Sequence, residues 1–229
     1  MTNWNLTALL PMKGNSERVK NKNMRDFCGK PLYHAVMKSL SASKYVDKVV
    51  INTDSAVIAE DAKENFGGRV VIVKRPVDIQ GDFVSMNIII GHDLSVTKGE
   101  HYIQTHSTNP LLKPETIDKA TERYFSSLDE YDSIFSVTKV QTRFYDENAS
   151  PVNHNPQKLI RTQDLEPLFE ENSNFYIFSK DSFRNAGDNR IGIKPQIFEM
   201  NKLEAVDIDE PEDFIMAQIL YQEYRMKKI

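Results

Sequence analysis

Short aliphatic runs alternate with helix-period segments over the first 105 positions, and this alternation limits the fold more than any other feature. Residues 6–10 read as a buried strand that breaks at Pro11. Residues 31–43 carry Leu32, Ala35, Val36 and Leu40 at the spacing of an amphipathic helix, with Pro31 near its first turn. A second strand is expected at 48–53. Asp54 and Ser55 can then cap a helix running to Phe66, which Gly67-Gly68 closes before a third strand at 70–73. Strands joined through helices at this spacing pair in parallel with right-handed crossovers. A helix from about Phe83 to Leu94, a strand at 101–105, a helix opened by Pro114 and Glu115, and a strand at 133–137 extend the series. The expected fold is α/β, a single Rossmann-like, mostly parallel sheet domain over 1–229.

The segment 139–174 breaks the rhythm. It is polar, holds Pro151, Pro156 and Pro167, and shows no helical period, so it reads as an excursion within the domain, either a lid or an oligomerisation arm. Strand character returns at 175–178. The chain closes with a strand at 205–209 and an amphipathic helix through Tyr224.

In such a sheet, ligands sit beyond the carboxyl ends of the strands. The loops expected there are 11–23, 53–55, 75–82, 106–112 and 207–209, which carry Lys13, Arg18, Lys22, Asp54, Arg75, Asp82, Asn109, Asp207 and Asp209. In the first loop the cations are interleaved with Gly14, Asn15, Asn21 and Asn23, residues that let backbone N–H groups turn toward an anion. A phosphate cradle and a merely solvated basic loop both fit that composition, and the Gly-Lys-Ser/Thr ending of a Walker loop is missing. Asp207 and Asp209, two residues apart on an extended segment, share a face and can share one cation; the competing reading makes them a helix N-cap pair.

Composition excludes several roles. Net charge is −4 with an isoelectric point near 5.8, which gives no support to nucleic-acid binding. A chain 40% hydrophobic and 27% charged is an ordinary globular composition, not a disordered one. No apolar run approaches the roughly 20 residues of a membrane span, and the first residues lack the basic and apolar regions of a signal peptide. Cys28 has no cysteine to pair with and suits a reducing compartment, so the expected location is the cytoplasm. It reads as a small packing residue, as Phe175, Tyr176 and Phe178 read as core. The five histidines show no metal-ligand spacing, and His106, on the expected rim, reads as a hydrogen-bond partner more than a base.

Seven blocks in order resemble the acylneuraminate cytidylyltransferases. Leu10-Pro-Met-Lys-Gly-Asn-Ser-Glu-Arg-Val-Lys-Asn-Lys-Asn23 stands for the family's Ile-Pro-Ala-Arg-Gly-Gly-Ser-Lys-Gly-Ile-Pro-x-Lys-Asn, followed by Gly29-Lys-Pro-Leu32 and Asn52-Thr-Asp54. Lys74-Arg-Pro76 with Asp82 and Ser85, Thr108-Asn-Pro-Leu111, Arg161-Thr-Gln-Asp with Asn172-Ser-Asn-Phe-Tyr176, and Val206-Asp-Ile-Asp209 complete the likeness. It implies a domain of the nucleotide-diphospho-sugar transferase type that joins CTP to an acidic nine-carbon 2-keto sugar with Mg2+, releasing pyrophosphate. By position, Lys13 takes the place of an arginine at the CTP phosphates. Arg18 stands beside Glu17, which replaces a lysine, and Lys22 and Asn23 hold phosphate and nucleotide. Arg75 and Ser85 fall near cytosine and ribose, and Asp207 and Asp209 are the Mg2+ ligands. Lys13, Lys22 and Asp209 are thus the catalytic candidates. His106, Asn109, Arg143 and Arg161 fall on the sugar side, with family precedent for supply of the arginines across a homodimer interface by the 139–174 arm. His106 and Leu112 replace a glutamine and an arginine, which leaves the sugar open among neuraminate, legionaminate, pseudaminate and, less closely, Kdo. A non-catalytic nucleotide-sugar binding protein of the same fold is the reading of a different class; loss of either aspartate would have favoured it.

Overall fold

A computed structural model describes residues 4–226; residues 1–3, on which the reading of the N-terminus begins, lie outside it. In chain order the elements are β1 (Leu6–Leu9), a small hairpin of β2 (Asp26–Phe27) and β3 (Lys30–Pro31), α1 (Tyr33–Ala42), β4 (Val46–Thr53), α2 (Ala56–Phe66), β5 (Val70–Lys74), α3 (Met86–Val96) and β6 (His101–Thr105). They are followed by α4 (Pro114–Ser126), β7 (Ser133–Val140), β8 (Leu168–Ser179), α5 (Lys180–Asn185), β9 (Pro195–Glu199) and α6 (Pro211–Leu220). One seven-stranded sheet runs β5-β4-β1-β6-β8-β7-β9. Pairing is parallel except along β8, which is antiparallel to both β6 and β7. The α/β, mostly parallel expectation therefore holds.

The sheet is buried on both faces, which is why its central strands are apolar at nearly every position. One face packs Leu6, Ala8 and Ile103 against Val36 and Leu40 of α1, Ile58 of α2 and Ile117 of α4. The other packs Leu9, Val50 and Tyr102 against Ile90 and Leu94 of α3 and Phe183 of α5. A third cluster gathers Val19, Phe27, Leu32 and Ile208 under Phe214 and Ala217 of α6.

Four expectations are corrected. Helix α3 starts at Met86, not Phe83, because the Ser85 side chain caps it by accepting from the Asn87 N–H, while Phe83 is fully exposed. The 139–174 excursion is shorter in its irregular part: Val140 pairs with Leu168 and Val137 with Glu171, leaving 141–167 outside the ladder. Backbone hydrogen bonds carry this pairing without burial, since Leu168 to Glu171 are all exposed. A shift of register between Phe135 and Val137 falls opposite the stretch of β8 that holds Ser173, whose φ of +55° lies in the left-handed region. Residues 205–209 are not a sheet strand; Ile208 donates its N–H to the Thr108 carbonyl at 3.0 Å and buries its side chain under α6 instead. The last strand is β9, an edge strand whose proline stands at its first residue, where no ladder donor is missed.

Candidate active site

The loop after β1 is pinned at both ends of its cationic stretch. Val19 is 1% exposed in the α6 cluster, a burial worth roughly 1.5–3 kcal/mol. Asn23, 6% exposed, donates Nδ2 to the Lys13 carbonyl at 3.0 Å and accepts from the Ser107 hydroxyl at 2.6 Å. Asn21 tolerates the left-handed backbone (φ +53°) that turns the chain between them. The merely solvated loop is thereby set aside: a fixed frame presents the cations.

Each cation meets a carboxylate from another strand end. Lys13 pairs with Asp82 of the loop after β5. The Gly14 N–H donates to Asp54 Oδ1, beyond β4, at 2.7 Å. Arg18 forks between Asp209 Oδ1 at 2.8 Å and Glu210 Oε1 at 2.9 Å. Lys22 donates to the Ile208 carbonyl at 2.6 Å and stands 3.7 Å from Asp209. A Cβ added to Gly14 would stand 2.9 Å from the Ser55 Cβ. Gly14→Ala is therefore expected to push the loop off Asp54 and raise the KM for CTP about tenfold with a loss of stability near 1 kcal/mol, read by initial rates and thermal melts.

Asp207 and Asp209 flank the buried Ile208. Burial pushes the Asp207 carboxyl above the usual range, a hydrogen bond from Thr108 opposes that, and the Asp209 charge adds to the rise. The cap of α6 does not consume Asp209: Glu210 is the N-cap, and Asp213 accepts from the N–H groups of Asp209 at 3.0 Å and Glu210 at 2.8 Å. Two neighbouring carboxylates of like charge, one of them already strained toward neutrality, fit a hard divalent cation. Among the described residues no group of three or more His, Cys, Asp and Glu could hold a metal.

Arg75 stands elsewhere than a ligand-facing residue would. It is 4% exposed and points inward, with Nε donating to Asn52 Oδ1 at 2.8 Å and Nη2 to the carbonyls of Asn52 at 2.9 Å and Met12 at 3.2 Å. Asn52 in turn donates to Asp93, whose carboxyl burial pushes up to about 6. Arg75 thus braces the ends of β1 and β4 from beneath. Ser85 is spent at the start of α3. Arg143 donates to the Ile160 carbonyl, and Arg161 grips Asp164 at 2.7 and 3.0 Å; among the described residues neither has a contact with the rim cluster.

Asn109 is fully buried, donating to the Val206 carbonyl at 3.4 Å with its Oδ1 unpaired. His106 Nε2 is likewise buried without a partner. Burial drives the His106 ring down to about 4, Arg190 and Lys22 push the same way and Asp209 against, so the ring is neutral near pH 7. Beside it lie residues that the sequence did not single out: Arg190, Gln104, Glu171 and Asn174. Arg190 donates to Gln104 Oε1 at 2.6 Å and lies 3.7 Å over the Tyr176 ring, so Tyr176 carries a cation as well as filling core.

No helix among the described residues is long and apolar enough to cross a membrane. The Cytidylyltransferase family model matches residues 7–227. The pseudaminic acid cytidylyltransferase of Campylobacter jejuni is 25% identical over 228 residues, 94% of this chain and 95% of that one. The N-acylneuraminate cytidylyltransferase of Escherichia coli is 25% identical over 239 residues, 98% of this chain but 54% of that one. Among solved structures, a CMP:2-keto-3-deoxy-manno-octonic acid synthetase complexed with CTP superposes with a TM-score of 0.72 at 14% identity, over 96% of this chain and 99% of that one. A 4-diphosphocytidyl-2C-methyl-D-erythritol synthase from Anaerococcus prevotii gives 0.66 at 12%, with the same shares; both show a shared fold. With a match spanning nearly its whole length and the cations and carboxylates of the motif blocks gathered at one rim, the chain belongs to the cytidylyltransferase family.

Proposed function

We propose that the protein joins CTP to an acidic 2-keto sugar of the nonulosonate class, giving a CMP-sugar and pyrophosphate, with Mg2+ held by Asp207 and Asp209. The observation that carries this reading is the meeting, at one rim of a cytidylyltransferase-family chain, of Arg18 and Lys22 with Asp209 and of Lys13 with Asp82. Nucleotidyl transfer asks mainly for positioning and for neutralisation of phosphate charge. A divalent cation on the two carboxylates would supply counter-charge to the phosphate oxygens. The chain's own part is to place cations around them. Lys13 faces the loop after β5, while Arg18 and Lys22 are held at Asp209 and turn to the phosphates once that carboxylate has another counter-charge. Asn23 and Ser107 fix the frame that aims them. The sugar's anomeric hydroxyl attacks the α-phosphorus in line with the leaving pyrophosphate. His106, neutral and unpaired, is suited to hold the sugar by a hydrogen bond.

Two further assignments belong to the same reading. The 141–167 arm exposes Phe144, Tyr145, Val152 and Leu159, an apolar set that supports a homodimer joined through the arm, with Arg143 and Arg161 reaching the partner's sugar site. An unpaired, half-buried Cys28 supports a reducing cytoplasm.

The reading is tested by pyrophosphate release from CTP and Mg2+ with pseudaminic acid, N-acetylneuraminic acid and Kdo in parallel. Sugar-dependent release with one of the nonulosonates is expected. Binding of CTP without release for any of the three would overturn it.

A further inference from the structure

Where β6 meets β8, the structure holds a buried polar cluster that the steps above leave unused. The Arg190 side chain is 15% exposed, yet beyond Gln104 and the Tyr176 ring its nearest carboxylate is Glu171, at 4.0 Å. Glu171 is 44% exposed and already takes the Tyr176 hydroxyl. A guanidinium has five donors, and here the Gln104 oxygen and the Tyr176 hydroxyl take only part of them. Its neighbours share the condition. His106 Nε2 and both polar atoms of the fully buried Asn174 have no partner. The antiparallel register sets Gln104 against Tyr176 and Thr105 against Phe175, and His106 and Asn174 are the next residues beyond the last pair on the two strands. Native proteins leave few buried polar groups unpaired, and these stand together beside a cation.

We infer that this cluster receives the carboxylate of the second substrate, and that Arg190 is the residue that makes the site specific for an acidic sugar. This rests on the reaction proposed above. A planar carboxylate takes two parallel bonds from a guanidinium, and the flat seat on Tyr176 fixes that fork in advance. The neutral His106 ring and the Asn174 amide each add a donor. Placement agrees: His106 lies within electrostatic reach both of Arg190 and of Lys22 and Asp209, so it links this cluster to the charged residues of the rim.

The test compares initial rates of the wild type, Arg190→Met and Arg190→Lys, using whichever of the three sugars the wild type turns over best. Loss of a charge-assisted pair predicts a rise in sugar KM of about 10- to 100-fold for Arg190→Met, an intermediate rise for Arg190→Lys, and a KM for CTP within twofold of wild type. The methyl ester of the same sugar, as a competitive inhibitor, should bind the wild type much more weakly than the free acid, and Arg190→Met should barely distinguish the two. An unchanged sugar KM, a parallel rise in the KM for CTP, or acid–ester discrimination that survives the substitution each overturns the assignment. Should Arg190→Met fail to fold, the same comparison on Arg190→Lys decides. Wild-type inactivity toward all three sugars would instead sink the proposed reaction, and this assignment with it.

Discussion

Asp209→Asn is expected to lower kcat about 10³-fold while the protein stays folded. The Asp209 side chain is 53% exposed, and its ion-pair partners each keep another acceptor when its charge is removed, Arg18 at Glu210 and the 11% exposed Lys22 at the Ile208 carbonyl. The cap of α6 survives because it is built by Glu210 and Asp213. What is lost is half of the carboxylate charge available to a divalent cation, whose contribution to a transition state of this kind is several kcal/mol, at 1.36 kcal/mol per tenfold in rate. Single-turnover pyrophosphate release and a thermal melt read the two sides. Asp213→Asn is the matched control: it weakens the bonds to the N–H groups of Asp209 and Glu210, so it should cost about 1 kcal/mol of stability but less than tenfold in rate. Activity of Asp209→Asn within tenfold of wild type would remove the carboxylate pair from the chemistry.

The parallel half of the sheet was legible because burial on both faces leaves a plain mark. Strands β1, β4 and β5 are aliphatic-rich runs bounded by Pro11, Asp54, Gly67-Gly68 and Pro76, and turn chemistry and spacing point the same way. The other half was not. The first residues of β8, Leu168 to Glu171, are all exposed, two apolar and then two acidic, and backbone pairing with β7 holds them with no periodicity to betray it. Strand β9 opens on a proline at the sheet edge and reads as a loop. Conversely, Val206 to Asp209 alternates like a strand because Ile208 is buried under α6, a tertiary contact that mimics the sheet signal.

The same division runs through the site. Loops leaving buried parallel strands must converge, so Lys13, Asp82, Asp54, Arg18, Lys22 and Asp209 could be named from their places in the chain. Arg190 could not. It lies in a polar stretch between α5 and β9, and only its bond to Gln104, 86 positions away, gives it meaning. Arg75 shows the opposite limit. Its place at a strand end was legible, but the direction of its side chain follows from the Asn52 side chain and the carbonyls of Met12 and Asn52 beneath it, which no sequence pattern reports.

That direction has a large consequence: Arg75→Met is expected to destabilise the protein by about 3–5 kcal/mol, the range for breaking a buried charged network. Asn52 Oδ1 and the Met12 carbonyl lose a donor in surroundings where Asn52 is 0% and Met12 2% exposed, and each orphaned group costs roughly 1–3 kcal/mol. Asp93, also 0% exposed, loses a nearby positive charge. Against a typical total of about 5–15 kcal/mol, this is a major part of the stability. Arg75→Lys should recover little, since one ammonium cannot reproduce a fork that serves two strands. Urea melts give the loss. Adding Asp93→Asn should return part of it, because the uncompensated charge goes with the carboxylate, and the double variant should be more stable than the sum of the singles. The kinetic arm separates support from contact. If Arg75 braces the β1 and β4 ends, the fraction that stays folded at low temperature keeps its KM for CTP within about threefold of wild type. A melt within 1 kcal/mol of wild type, joined to a KM for CTP raised tenfold or more, would instead make Arg75 a residue that touches the nucleotide, as its position in the motif suggested.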